Sequence, residues 1–121
     1  ILYFYPRDNT PGCTNQAKAF RDAIESFNEQ NAVILGISRD SVASHEKFIA
    51  KHELPFILLS DHEEIVCHLY DVLKEKNMYG KKAIGIERST FLIDEAGIIT
   101  KIYRKVKVAG HIEAVLESCS L

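Results

Sequence analysis

Two runs, AVILGIS at 32–38 and PFILLS at 55–60, constrain this chain more than any other feature. Each has the length of a strand and is apolar almost without a break, so it lacks the alternation of a strand with one wet face. Runs of this kind read as strands covered on both faces, as in a parallel sheet packed between helices. Parallel strands need crossovers, and helical patterns stand where crossovers belong. Ala17, Phe20, Ile24 and Phe27 recur at helical spacing from Cys13 onward. Further helical patterns run from about Val42 to Lys51 and from about His62 to Val72. An aromatic strand at 1–5, ILYFY, opens the chain and is closed by Pro6. The segment 74–86 is polar with two glycines and reads as a long loop. STFLID at 89–94 and IITKIYRKV at 98–106 flank Glu95-Ala96-Gly97 as an antiparallel hairpin would, and a last helix covers about 112–118. The order is strand, helix, strand, helix, an inserted strand and helix, then a hairpin and a helix. Without the insertion it is the order of a thioredoxin-like α/β fold, one domain over 1–121.

In that order the chemistry sits at the start of the first core helix, where this chain reads Thr10-Pro11-Gly12-Cys13. With Thr10 as N-cap and Pro11 at the first helical position, Cys13 is the third helical residue. Its sulfur then lies near unpaired N–H groups and the positive end of the helix dipole, which favour thiolate over thiol. The blander reading is a buried cysteine that happens to begin a helix. Thr10 stands where a CxxC pair would place its first cysteine, so dithiol exchange is excluded at this helix. A lone thiolate can still attack the O–O bond of a peroxide and become a sulfenic acid. That step needs donors for the departing oxygen and a cation beside the sulfur. Arg88, in GIERST ahead of the hairpin, is the cation best placed by sequence order.

FYPRDNTPGCT carries Pro6, Thr10 and Cys13 in the spacing of the peroxiredoxin signature. LGISRDS at 35–41, LLSD at 58–61, MYGK at 78–81, GIERSTFLID at 85–94 and RKVKVAGH at 104–111 extend the match along nearly the whole chain. Together they resemble the peroxiredoxin Q branch, also called bacterioferritin comigratory protein. The resemblance implies a thiol peroxidase acting on hydrogen peroxide and organic hydroperoxides, with Cys13 as peroxidatic nucleophile. It implies that Thr10 hydrogen-bonds the peroxide, that Arg88 stabilises thiolate and developing charge, and that Pro6 shields the pocket. Backbone N–H groups of Gly12 and Cys13 would complete the cradle. Thioredoxin or a similar thiol would be the reductant, with no metal or other cofactor.

Two departures from the family pattern concern recycling and length. Members of the branch carry a resolving cysteine five residues after the first, where Lys18 stands, or in a stretch like SVASHEKFIA, which holds none here. The family's N-terminal hairpin precedes the point where this chain starts. A single-cysteine cycle with an external thiol is therefore the first expectation, Cys67 the second candidate for resolving, and Cys119 a third.

Composition narrows the alternatives. Fifteen Lys and Arg among 17 Asp and Glu, a net charge of -2, give no footprint for nucleic acid or an anionic membrane. Cysteines at 13, 67 and 119 fit neither a disulfide framework nor a paired redox motif, which points to a reducing compartment such as the cytoplasm. A monomer is expected. HEEIVCH at 62–68 puts its histidines six apart, off a shared helix face, and His45 with His52 lacks a third ligand. Arg104, Lys105 and Lys107 read as a solvated face, Cys67 as a small buried hydrophobe, and Cys119 as a spectator thiol. The rival function is a non-enzymatic thioredoxin-like binding or holdase module. The joint presence of Pro6, Thr10, Cys13 and Arg88 argues for the enzyme, since core packing requires none of those polar identities.

Overall fold

The computed structural model describes residues 1–119. Strand β1 (Leu2–Phe4) lies at the centre of a five-stranded sheet ordered β3-β2-β1-β6-β7. β2 (Leu35–Ser38) and β3 (Ile57–Ser60) run parallel to it, while β6 (Ser89–Ile93) and β7 (Ile99–Tyr103) are antiparallel. Helices α1 (Pro11–Asp22) and α2 (Ile24–Glu29) make the β1–β2 crossover, α3 (Val42–His52) the β2–β3 crossover, and α5 (His111–Cys119) follows β7. The insertion into the thioredoxin-like order is β3, the short α4 (Ile65–Leu69) and a separate two-stranded sheet, β4 (Leu73–Met78) with β5 (Lys81–Ile86). No helix among the described residues is long and apolar enough to cross a membrane.

Alternation along β1 divides the interior. Tyr3 and Tyr5 face α1, α2 and α5 in a core with Cys13, Phe20, Phe27, Phe48 and Val115. Leu2 and Phe4 face the other way, with Ile37, Cys67, Val72, Ile86 and Phe91. Gly36 has no side chain because there is no room for one: a Cβ there would meet Leu58 Cδ2 at 2.6 Å and Tyr3 Cζ at 2.9 Å. The Tyr3 ring thus lies across β2 and stacks on Phe20, their centroids 4.7 Å apart.

Four expectations are corrected. The segment 74–86 is the β4–β5 hairpin and not a loop. It projects as a two-stranded arm whose polar residues bury little, so alternation is weak, while Tyr79 (φ 53°) and Gly80 (φ 80°) form a two-residue turn of the left-handed type that matches strand twist. The helical pattern at 62–72 shrinks to α4, since Glu64 (φ 63°) and Asp71 (φ 54°) turn left-handed on either side of it. The helix expected to run through Phe27 breaks at Ala23 into α1 and α2. β3 is an edge strand and is not covered on both faces: Ile57 is 60% exposed and Leu59 40%.

Candidate active site

α1 follows β1 after the loop from Tyr5 to Thr10. Pro11 occupies its first position, and the first backbone bond of the helix runs from the Thr14 N–H to the Thr10 carbonyl at 2.9 Å. The N–H groups of Gly12 and Cys13 precede that bond and are left for a ligand. Thr10 is the N-cap by position, but its hydroxyl does not cap the helix as the sequence suggested. It donates instead to the Arg7 carbonyl at 2.9 Å, because the left-handed turn at Asn9 (φ 62°) brings the loop back on itself. The proton of Thr10 is therefore spent within the loop, and its lone pairs are the part of the hydroxyl available to a substrate.

Cys13 is 2% exposed, on the buried stripe of α1 with Gln16, Ala17 and Phe20. Arg88 reaches it from the stretch before β6: Nη2 donates to Cys13 Sγ at 3.4 Å and Nη1 to Gln16 Oε1 at 2.5 Å. A Cβ on Gly12 would sit 3.1 Å from Arg88 Nη2, so glycine is what lets the guanidinium lie against the first turn. Beneath the sulfur the Tyr3 hydroxyl is buried without a partner among the described residues. Burial, then the neighbouring Cys13 and Asp8, hold its phenol well above the usual range, so it stays protonated. Gln16 Nε2 is likewise unpaired. Lys76 of β4 lies across Gly85 and donates to the Ile86 carbonyl at 2.6 Å. Desolvation and the nearby Arg88 lower its pKa.

Cys13, Gly12 and Arg88 are thus brought together, and Thr10 and half-buried Pro6 belong to the loop that leads into the same helix turn. Cys67 is not brought to them. It belongs to the core on the opposite face of the sheet, where burial and the Asp61 carboxylate push its thiol up to about 12. Cys119 packs at the edge of the Cys13 core, but near Ile1, at the far end of β1. All three cysteines are free thiols. In HEEIVCH, the Val66 and Cys67 N–H groups bond to Asp61, and Arg104, read as solvated, bonds to the Tyr70 and Asp71 carbonyls and covers the Phe91 ring.

The sequence reading gives three polar residues near the site no part in it, and weighs His45 only as a metal ligand. Gln16 carried a signal, since it is a polar residue three places after Cys13 on a buried stripe. Asp8 and His45 carried none, because they meet only through the packing of α3 against the loop after β1. Asp8, Asp40 and His45 bring donor atoms within 4.8 Å of one another. Asp8 Oδ2 faces His45 Nδ1 at 2.7 Å, and Asp40 Oδ2 accepts from the Asp8 N–H at 2.9 Å and the Ser38 hydroxyl at 2.6 Å.

The AhpC/TSA family pattern matches residues 1–102. Peroxiredoxin Bcp of Xanthomonas campestris is 53% identical over 116 residues, covering 96% of this chain and 72% of the relative. Peroxiredoxin Bcp of Bacillus subtilis is 53% identical over 118 residues, covering 98% and 75%. Among solved structures, the Xanthomonas campestris bacterioferritin comigratory protein, described for its alkyl peroxide reduction activity and trapped intermediate and ligand complexes, superposes with a TM-score of 0.93. The two are 51% identical, over 98% of this chain and 76% of that one. Mycobacterium tuberculosis AhpC superposes with a TM-score of 0.78 at 27% identity, over 98% and 66%. With a buried cysteine in the first turn of α1, a guanidinium on its sulfur and relatives of this kind along nearly its whole length, the chain belongs to the AhpC/TSA family as a peroxiredoxin of the Bcp, or peroxiredoxin Q, branch, a thiol peroxidase.

Proposed function

We propose that Cys13 is the peroxidatic nucleophile of a single-cysteine cycle. The observation that carries this is the Arg88 Nη2 contact on Cys13 Sγ at 3.4 Å, made at the third residue of a helix whose first N–H groups are unspent. The thiolate attacks one peroxide oxygen, the O–O bond breaks, a sulfenic acid forms at Cys13, and the departing alkoxide or hydroxide leaves with a proton as alcohol or water. Thr10 accepts from the peroxide O–H, the Gly12 and Cys13 N–H groups and Arg88 hold the charge as it moves between oxygens, and Pro6 keeps water from the pocket. Hydrogen peroxide and organic hydroperoxides are the substrates.

An external thiol, thioredoxin or one like it, attacks the sulfenic sulfur, expels water and leaves a mixed disulfide; a second thiol releases Cys13. The placement of the other cysteines supports this route over Cys67 or Cys119. A disulfide needs Cα atoms within about 7 Å, and the sheet stands between Cys13 and Cys67. The protein works as a monomer, and three free thiols suit a cytoplasmic location. The test is one equivalent of peroxide, thiol blocking and peptide mapping, alongside Cys13→Ser. Cys13→Ser keeps the fold and loses peroxide turnover, and the parent shows a sulfenic acid at Cys13 with Cys67 and Cys119 free. A Cys13 to Cys67 linkage formed at the turnover rate refutes the single-cysteine cycle, and an active Cys13→Ser refutes the nucleophile.

A further inference from the structure

The segment from Tyr5 to Thr10 contributes Pro6 and Thr10 to the site but has no helix or strand of its own. A buried cluster holds it. Asp8, 6% exposed, accepts from the Tyr5 hydroxyl at 2.6 Å and the Ser44 hydroxyl at 2.8 Å, and its Oδ2 faces His45 Nδ1 at 2.7 Å. Its N–H donates to Asp40 Oδ2 at 2.9 Å, a carboxylate that also takes the Ser38 hydroxyl at 2.6 Å. On the other side of the ring, His45 Nε2 lies 3.0 Å from the Leu59 carbonyl oxygen. Both ring nitrogens thus face acceptors, one a carboxylate and one a carbonyl. Only an imidazolium donates to both; a neutral ring would set a lone pair against one of them.

We infer that His45 is a positioning residue for peroxide reduction, its imidazolium clamping Asp8 and, through Asp8, the Pro6–Thr10 segment that aligns Thr10 with the first turn of α1. The inference rests on the assignment of Cys13 and Thr10 to the site. It also makes the alignment depend on a proton. The titratable groups facing His45 are Asp8 from the loop, Tyr5 from β1 and Asp40 from the β2–α3 turn; α3 itself adds the Ser44 hydroxyl, and β3 the Leu59 carbonyl. Tyr5 is held protonated by burial and by Asp8. Burial works against charge on Asp8, but bonds from His45, Tyr5 and Ser44 outweigh it and hold the carboxyl below its usual range. Burial likewise opposes charge on His45, but Asp8 and the Leu59 carbonyl outweigh it and raise the ring above its ordinary 6.5. As pH rises past that raised value the ring sheds one proton, one of its two bonds opens, and the loop loosens.

The experiment is the second-order rate of the reduced protein with hydrogen peroxide, measured by stopped flow from about pH 5 to about pH 10 across the histidine range, for the parent, His45→Gln and Cys13→Ser. The parent rate should fall along an alkaline limb. His45→Gln should lower the neutral rate by about ten- to a hundredfold, as expected for a reacting group displaced by about an ångström. It should also abolish the alkaline limb while the ultraviolet titration of the thiolate stays where it was. A purely structural role would lower thermal stability and leave the shape of the profile unchanged. Proton NMR of the parent covers the case in which the variant fails to fold: the His45 ring should titrate above 6.5, and the Thr10 and Cys13 amide signals should move with it. An alkaline limb retained in His45→Gln, or amide signals indifferent to the His45 titration, overturns the inference. If Cys13→Ser is inactive in the same series, only the clamp has failed; if it is active, the assignment of the nucleophile has.

Discussion

Replacing Arg88 with methionine should separate two jobs that one guanidinium does. Toward the sulfur, a unit charge at 3.4 Å is worth about 5 kcal/mol at an effective dielectric of about 20, a ceiling that water entering the site would erode. Loss of a donor aimed at developing charge typically costs about 10² to 10³ in rate, which lies inside that ceiling. Arg88→Met should therefore lower the second-order rate with peroxide by about two to three orders of magnitude. Toward the protein, the guanidinium is the partner of Gln16 Oε1, and Gln16 is fully buried with its Nε2 already unpaired. Stripping that partner should cost a further ~1–3 kcal/mol of stability. The two effects come apart in the double variant Arg88→Met/Gln16→Leu, because removing both partners of a buried hydrogen bond in favour of apolar groups is close to neutral. Urea unfolding should show stability returning toward the parent while stopped-flow peroxide kinetics remain at the Arg88→Met level. Reactivity recovered along with stability would mean that Arg88 acts by holding α1 in place. An Arg88→Met rate within about twofold of the parent would remove the cation from the site altogether, since that is far below the loss of any oxyanion donor.

Gly12→Ala should lower the peroxide rate by less than about tenfold without loss of helix stability, because the new Cβ, 3.1 Å from Arg88 Nη2, makes the guanidinium give way by a few tenths of an ångström while alanine is the better helix former. Stopped-flow and thermal unfolding on the same samples check both halves. The two buried histidines should give stability a maximum in pH. His45, raised in the fold, contributes stability that is complete below 6.5 and fades as pH climbs through its folded value; His111, lowered by burial and then by Arg88, contributes stability present above 6.5 and lost as pH falls toward its folded value. Urea midpoints across pH should lose their alkaline decline in His45→Gln and their acid decline in His111→Gln.

The parts of the fold and site that could be read from the residues are those set by local chemistry. Pro6 ends β1, and Pro11 starts α1 two residues before Cys13, so the position of the cysteine on the first helical turn follows from eight consecutive residues. Gly36, whose Cβ would strike Tyr3 and Leu58, shows the opposite case: its reason lies in side chains from two other strands and has no mark in its own neighbourhood. The β4–β5 arm went unread for a related reason. Its strands pair with each other and bury almost nothing, so no burial pattern is imposed on their sequence, and only the Tyr79-Gly80 turn announces them.

The recycling question divides along the same line. The faces of β1 argue against a Cys13 to Cys67 disulfide: Tyr3 and Tyr5 stand over Cys13, and Leu2 and Phe4 over Cys67. The alternation itself is plain in ILYFY, but the face taken by Cys67 depends on how the inserted unit crosses the sheet edge after β3, which no local pattern encodes. Once the sheet separates the two thiols, a disulfide between them requires the loss of β1 pairing or the unwinding of α1 and α4 together. Cys67 is further restrained by Asp61, which accepts from its N–H at 2.7 Å, and burial together with that carboxylate keeps its thiol protonated. A protonated thiol is a poor nucleophile toward a sulfenic acid even when it arrives. Position and protonation state therefore act in the same direction, and both favour the proposed route, in which a thiol approaches the sulfenic acid at Cys13 from solution through the first turn of α1, where the helix is held by the fewest bonds of its own.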